Sequence, residues 1–131
     1  MRADFDRFDC ILCYSVFHYI FVETQFWRFI DQSLDLLAPG GQMLIGDIPN
    51  VSKRKRFFAS EAGVRFHQAF MHTSEAPRLD FFAAEHDKID DAVILGVIMR
   101  ARAEGCDAYW LPQPAHLPMA NRREDILILK P

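Results

Sequence analysis

The chain has 131 residues, of which half are hydrophobic and a quarter are charged, and its formal net charge is −3. This length suits one domain with one core, and this balance is typical of a soluble globular protein. The charge gives no reason to expect a nucleic-acid or membrane partner, and no apolar run approaches the roughly 18 residues of a membrane span. Three cysteines, an odd number, argue against a disulfide framework and favour a reducing, cytoplasmic location.

The first predicted strand covers residues 8–14, within the nearly continuous apolar run FDCILCYSVF. Both of its faces look apolar, as in a parallel sheet that helices cover. Cys10 and Cys13 form a C-x-x-C pattern in this strand, but residues three apart in a strand point to opposite faces. We therefore expect two small buried hydrophobic side chains and not a redox pair or a zinc site.

A loop or short helical turn follows, and then a helix at about 23–37, where apolar residues recur at helical spacing. The stripe consists of Phe26, Phe29, Ile30, Leu34 and Leu37. Pro39, Gly40 and Gly41 are expected to stop this helix and to supply its C-cap and a tight turn. A second strand at 42–48 follows at once, so that strand, helix and strand form one βαβ unit with parallel neighbouring strands.

The stretch 51–88 is the least regular part of the sequence. Ser52 is a candidate N-cap for a helix through KRKRFFASEAGVRFHQAF, and residues 73–88 are predicted to be mainly loop. The basic run at 53–56 is typical of a solvated helix face, with contact to an anionic substrate or phosphate as the alternative.

The last part of the chain predicts a helix and two strands. The helix, at about 90–104, carries the apolar stripe Val93, Ile94, Val97, Ile98 and Ala101. The strands lie at 107–112 and 124–130, and a proline-rich connection joins them. Because this connection contains no crossover helix, we expect 107–112 at the sheet edge and the spatial order first, second, fourth, third. The last strand should run antiparallel to its neighbours, and 1–131 should form a single domain.

Two segments, RFDCILCYSVFHYI and LDLLAPGGQMLIGDIPN, resemble the C-terminal half of a class I S-adenosylmethionine-dependent methyltransferase. In that family the fourth strand begins with a Phe-Asp pair, as at Phe8 and Asp9, and a helix leads to an LxPGG turn, as at 37–41. A helix and two strands then complete the family's fold, as 90–130 are expected to do. The resemblance covers nearly the whole chain except 51–88, where the family inserts variable substrate-recognition segments.

The resemblance implies an α/β fold with a partial Rossmann-like methyltransferase sheet. Its strands would take the family order 4-5-7-6, with the last strand antiparallel and helices covering the sheet. The family binds its cofactor with a glycine-rich loop after the first strand and an acidic residue after the second. None of the six glycines here forms a G-x-G pattern, and three further strands do not fit before residue 8. We interpret the sequence as half a fold: a truncated product, a miscalled gene start, a proteolytic remnant or one subunit of a split enzyme.

The resemblance also implies a site, since ligands of open α/β sheets bind beyond the carboxyl ends of the strands. It places Tyr14, Ser15 and Val16 along the methionine part of S-adenosylmethionine. His18 is the candidate proton acceptor, because the pKa of histidine ordinarily lies near neutrality. Asp47, at the end of the second strand, is the candidate to orient the methyl acceptor.

Each of the two candidate catalytic residues also has a purely structural interpretation. His18 is compatible with a loop residue that is bonded to the backbone. Asp47 precedes Ile-Pro-Asn and is a good turn residue, which could cap the following turn through Asn50 or Val51. Methyl transfer often requires only proximity and alignment, so the absence of a base would not exclude the class.

No metal site is expected, because His67 and His72 lie five residues apart and not the four that place two ligands on one helical face. Two classes of function remain open. In the first, the chain is part of a methyltransferase, with S-adenosylmethionine as cofactor but weak or no binding by this chain alone. In the second, it is a non-catalytic interaction or dimerisation module that retains the fold as a scaffold.

The first strand suggests a partner in either class. In the whole fold it would be paired on both sides, and residues 9–20 contain no lysine or proline to discourage pairing at an open edge. We therefore expect a homodimer through the 8–14 edge, or a missing N-terminal half that covers it. The methyl acceptor cannot be identified from the sequence.

Overall fold

A computed structural model describes residues 7–83 and 85–131. The elements in chain order are β1 (Phe8–Tyr14), α1 (Phe17–Glu23), α2 (Phe26–Leu36), β2 (Leu37–Pro49), α3 (Val51–Ala59), α4 (Glu61–Met71), α5 (Asp91–Ala103), β3 (Asp107–Pro112) and β4 (Arg123–Leu129). The architecture is α/β, with these helices and one open, mixed sheet. The predicted α/β class is therefore confirmed.

The strands lie in the order β1-β2-β4-β3. β1 runs parallel to β2, whereas β4 runs antiparallel to both β2 and β3. The predicted order, the antiparallel last strand and the edge position of 107–112 are confirmed. The proline-rich connection returns the chain directly from β3 to β4, as expected for two antiparallel neighbours.

The helix predicted at about 23–37 is present but shorter, since it covers Phe26–Leu36, and a second helix precedes it. The segment predicted as a loop or short turn forms α1, which ends at Thr24, a β-branched residue with an extended backbone. α2 begins at Phe26 and not at Glu23. Its apolar stripe is correctly predicted: Phe26, Ile30 and Leu34 are buried against the sheet.

The residues at 39–41 form an irregular beginning of β2 and do not cap α2. The C-cap of α2 is Leu37, which already has an extended backbone. The ammonium group of Lys130 donates hydrogen bonds to the carbonyl oxygens of Leu34 and Leu37, at 3.0 and 2.8 Å. Lys130 thus provides hydrogen bonds for the last carbonyl groups of this helix, a role that was expected of a glycine C-cap. Gly40 is still required, because its φ of +78° lies in the left-handed region.

The stretch 51–88 also differs from the prediction of one helix. Ser60 interrupts it, because its extended backbone ends α3 and its side chain caps α4. The N-cap of α3 is Asn50 and not Ser52: the Asn50 side-chain oxygen accepts from the Ser52 N–H at 2.9 Å. The Ser52 hydroxyl instead accepts from the Asp91 N–H at 3.1 Å, at the beginning of α5.

The hydrophobic core lies between one face of the sheet and the helices α1, α2 and α5. The strands contribute Cys13, Met43, Ile45, Ala108, Ile126 and Ile128, and the helices contribute Phe17, Ile30, Leu34, Ile94 and Val97, among others. No helix of the described residues is long and apolar enough to cross a membrane.

The opposite face of the same sheet carries large exposed side chains. Those on the two edge strands are Phe8, Leu12, Tyr14, Tyr109 and Leu111. Helices therefore cover β1 on one face only, contrary to the expectation of a strand covered on both faces. Cys10 and Cys13 point to opposite faces as predicted, but only Cys13 is buried, because Cys10 lies on this open face.

Candidate functional site

β1 and β2 end side by side at one edge of the sheet, and polar side chains gather there. The Ser15 N–H donates to the carbonyl oxygen of Gly46 at 3.1 Å, which extends the pairing of the two strands. Ser15 and Asp47 then have φ values of 60° and 57°. Left-handed backbone is uncommon for residues with side chains, and aspartate tolerates it better than most. The backbone thus bends sharply at both residues. They lie at the carboxyl end of the parallel strands, where the sequence predicts a site.

The Asp47 carboxylate is the centre of a network that joins the ends of several strands. It accepts hydrogen bonds from the Ser15 hydroxyl, from Nε2 of Gln113 at 3.0 Å and from Nη1 of Arg123 at 2.6 Å. Its backbone N–H donates to Oδ1 of Asp125 at 2.8 Å, where a bulge interrupts the ladder between β2 and β4. The network therefore ties the end of β1 to β2, β4 and the residue after β3.

The hydrogen bonds around Asp47 determine its ionisation. Burial by itself would raise its pKa, but hydrogen bonds from Ser15, Gln113 and Arg123, with the charge of Arg123, together lower the pKa below its usual value. Asp47 is therefore a carboxylate at neutral pH whose oxygens are already occupied. Such a group is a poor proton acceptor and a good anchor for its neighbours.

The alternative interpretation of Asp47 as the cap of the following turn is wrong. The Asn50 N–H donates to the carbonyl oxygen of Arg122 at 3.1 Å, and the Val51 N–H donates to that of Ile89 at 2.9 Å. Neither N–H is available to Asp47, because these backbone pairs tie the beginning of α3 to neighbouring segments.

His18 lies in the first turn of α1, beside this network. Its Nδ1 atom is buried, and no hydrogen bond joins the imidazole to the backbone within the described ranges, contrary to the alternative of a backbone-bonded loop histidine. Burial lowers the pKa of His18, and the positive charge of Arg123 lowers it further, while Asp47 partly opposes them. The imidazole is thus neutral at neutral pH and has a nitrogen able to accept a proton.

The three residues predicted to contact the cofactor offer one wall and not an enclosed pocket. Tyr14 and Val16 are 47% and 43% exposed. The Tyr14 ring lies against Gly46, where an added Cβ would come within 2.6 Å of its Cδ2 atom. The Ser15 hydroxyl is committed to Asp47. These residues can therefore contact an apolar part of a ligand on one side only.

A cleft of about 470 Å³ opens beside His18, beyond the end of β2 and the beginning of β4. α1 forms one wall, and α3 with the segment before β4 forms the opposite wall. Its lining includes His18, Tyr19, Val22, Arg54, Met119 and Arg122. The cleft is large enough for a small molecule, and its exposed lining is mostly apolar, as such sites usually are, although seven of its fifteen residues are charged.

The basic run at 53–56 divides between two roles. The side chains of Lys53, Lys55 and Arg56 bind protein groups on neighbouring segments and hold α3 in place. Arg54 lines the cleft. The expectation of a solvated face therefore holds only in part: Arg54 and Arg56 are exposed, Lys53 and Lys55 are partly buried, and three of the four side chains have protein partners.

Sequence reasoning missed Gln113, Arg123 and Asp125. A usable signal was present, because an antiparallel last strand begins at the edge where the parallel strands end. The predicted order therefore placed the beginning of β4 and the residue after β3 beside Asp47. The side-chain hydrogen bonds themselves could not be predicted from spacing.

Within 7–83 and 85–131, no three His, Cys, Asp or Glu side chains are grouped so that they could hold a metal ion. No protein-family model matches the chain, and a search of curated proteins gives no match. The interpretation of the site therefore depends on its geometry and chemistry.

Proposed function

We propose that these residues form the acceptor side of an S-adenosylmethionine-dependent methyltransferase site, on a Rossmann-like sheet in the family order 4-5-7-6. The observation that carries the proposal is the position of a neutral imidazole, His18, in a cleft beyond the end of β2, the parallel neighbour of β1. Ligands of open α/β sheets bind in this place. The order β1-β2-β4-β3 with an antiparallel β4 is compatible with this family.

S-adenosylmethionine, when bound, supplies an electrophilic methyl group. Tyr14 and Val16 would pack along its methionine part, and Ser15 would contribute its backbone there. The sequence contains no G-x-G pattern for the rest of the cofactor. We therefore propose that the other half of the site comes from a separate polypeptide segment, and that this chain alone binds the cofactor weakly.

His18 would accept the proton that leaves a nucleophilic oxygen or nitrogen of the acceptor. Its lowered pKa keeps the base form populated at and below neutral pH. Asp47 would act as a positioning residue and not touch the acceptor, because its oxygens bind Ser15, Gln113 and Arg123. Alignment of the acceptor in the cleft would supply the rest of the rate enhancement.

An NMR titration of the purified chain with S-adenosylmethionine tests this proposal. We expect a dissociation constant of about 1 mM or weaker, with chemical-shift changes confined to residues 14–18. Val16→Asp should abolish these changes. Leu95→Asp, at a half-exposed position on α5, should leave them intact.

Two results of this titration would contradict the proposal. Shift changes that are absent from 14–18, at ligand concentrations well above 1 mM, would remove the assignment of Tyr14, Ser15 and Val16 to the methionine part of the cofactor. A dissociation constant of about 1 μM would show that the chain holds a complete cofactor site.

The open face of the sheet favours a second candidate, a non-catalytic interaction module. β1 is an edge strand in the described sheet, and it exposes Phe8, Leu12 and Tyr14. An antiparallel pair of β1 strands centred on Ile11 would place Tyr14 of one copy opposite Phe8 of the other, an aromatic cross-strand pair. We propose a two-fold homodimer through the 8–14 edge as the form this module would take.

A further inference from the structure

Two guanidinium groups on one wall of the cleft have no acidic partner in the described part of the chain. Arg54 lies on α3, and Arg122 directly precedes β4. Their Cζ atoms lie 5.0 and 5.5 Å from the centre of the Phe58 ring, so both pack on the same buried aromatic side chain. Arg122 also donates from Nε to the neutral Asn121 side chain at 3.1 Å. Aromatic and amide contacts hold these groups but do not neutralise them.

The adjacent Arg123 differs, because its charge is matched. It forms an ion pair with Asp47 at 2.6 Å, in which both side chains are largely buried. Arg122 has no such pair, and burial together with the charges of Arg54 and Arg123 lowers its pKa. Positive charge thus accumulates at this wall, where Arg54 and Arg122 have no ion-pair partner among residues 7–83 and 85–131, an arrangement that an anion in the cleft would relieve.

The acidic residues of the cleft do not provide that counter-charge. Glu85 forms its ion pair with Lys55, at 3.0 Å. Glu23 and Asp87 also line the cleft, and neither forms an ion pair with Arg54 or Arg122. The positive charge without an ion-pair partner is therefore that of the two guanidinium groups that pack on the Phe58 ring.

We propose that the cleft binds a small molecule in which a carboxylate or phosphate group is attached to an apolar body. The planar guanidinium groups of Arg54 and Arg122 would hold the anionic group, since arginine binds both anions with paired hydrogen bonds. The apolar body would lie against Tyr19, Val22 and Met119, which also line the cleft. The assignment of this molecule as the methyl acceptor rests on the proposed function, whereas the anion site does not depend on it.

Calorimetry on the purified chain with three probes of similar shape tests the site. Benzoate and phenyl phosphate carry the anion on a ring, and benzamide is the uncharged counterpart of benzoate. We expect at least one anion to bind about tenfold or more tightly than benzamide, as charge-assisted hydrogen bonds require. The tighter anion identifies the preferred group.

Equal binding of all three probes would overturn the anion site. Inorganic phosphate is a fourth probe, which lacks the apolar body. If it bound as tightly as phenyl phosphate, the role of the apolar body would be overturned.

Two substitutions locate the binding. Arg54→Gln and Arg122→Gln should each weaken binding of the preferred anion by about tenfold and leave benzamide unchanged. Arg54 is exposed and is therefore the safer variant for folding. Arg65→Gln is the matched control, because Arg65 lies on α4 with its side chain 71% exposed and outside the cleft. Unchanged anion binding in both cleft variants would overturn the proposal, even if S-adenosylmethionine still shifted residues 14–18.

Discussion

Both faces of the sheet carry large apolar side chains, but the two faces have different surroundings. In β1, Cys13 is 6% exposed and packs against the helices, whereas its neighbour Leu12 is 66% exposed. In β2, Ile45 is fully buried on the same side as Cys13. An apolar strand can therefore be buried on both faces, but its composition does not determine which elements cover each face.

The asymmetry follows from the path of the chain. The connection from β1 to β2 passes through α2, and the connection from β2 to β3 passes through α5. Both helices contribute to the same core, so both crossovers lie on one face. The parallel β1-β2 crossover is expected to be right-handed, which fixes the side on which α2 lies. Neither crossover covers the other face.

The largest predicted difference concerns stability. Ile45→Ala should reduce the free energy of unfolding by about 2–5 kcal/mol, because it removes buried methyl groups and leaves a cavity. Leu12→Ala should change it by about 0.5 kcal/mol or less in the monomer, at protein concentrations too low for the proposed dimer, since the side chain is then mostly exposed. Urea unfolding of the two variants and the wild type measures both values. Equal losses would show that the face bearing Leu12 is also covered in solution.

The second prediction asks whether a second copy provides that cover. We expect light scattering to give the mass of a dimer for the wild type and of a monomer for Leu12→Lys, because a charge would be buried at the paired edge. Met99→Lys is the control, since Met99 is 64% exposed on α5, away from the open face. It should remain dimeric. A wild type that stays monomeric at high concentration would defeat the dimer proposal.

Much of the fold could be predicted, because strong local signals coincided with topological rules. The apolar run at 8–14 and the proline-rich connection before β4 were sufficient for the strand order. The missed features depend on contacts between distant residues. Lys130 caps α2, which lies about ninety positions earlier in the chain. Asn50 displaced Ser52 as the N-cap because Ser52 is used by α5.

The candidate site could be predicted in position but not in detail. Ser15, His18 and Asp47 lie at the expected edge because each follows, or ends, a parallel strand. The ionisation of Asp47 could not be predicted, since it depends on Gln113 and Arg123 from the other end of the sequence. Similarly, the exposure of Cys10 depends on the absence of a covering element on its face within the described residues.

The last prediction concerns the hydrogen-bond network of Asp47, which ties the end of β1 to β2 and β4. Asp47→Asn should reduce the free energy of unfolding at pH 7 by about 2 kcal/mol, the value expected for hydrogen bonds to a charged group. This loss should be smaller than that of Ile45→Ala, because the edge is held by polar contacts and the helix-covered face by a packed core. Glu61→Gln is the control: its side chain is 95% exposed, and its removal should have no measurable effect.

The pH dependence distinguishes this network from simple packing. The folded state lowers the pKa of Asp47 below its usual value of 3.8. The carboxylate therefore stabilises the fold fully above that value, and its contribution is lost as the pH falls through the lower pKa of the folded state. Urea unfolding from pH 7 down to about pH 2 should show wild type and Asp47→Asn converging at the acid end. A difference that stayed constant over this range would mean that the side chain acts through its shape and not its charge, so that Ser15, Gln113 and Arg123 would not be held by an anion.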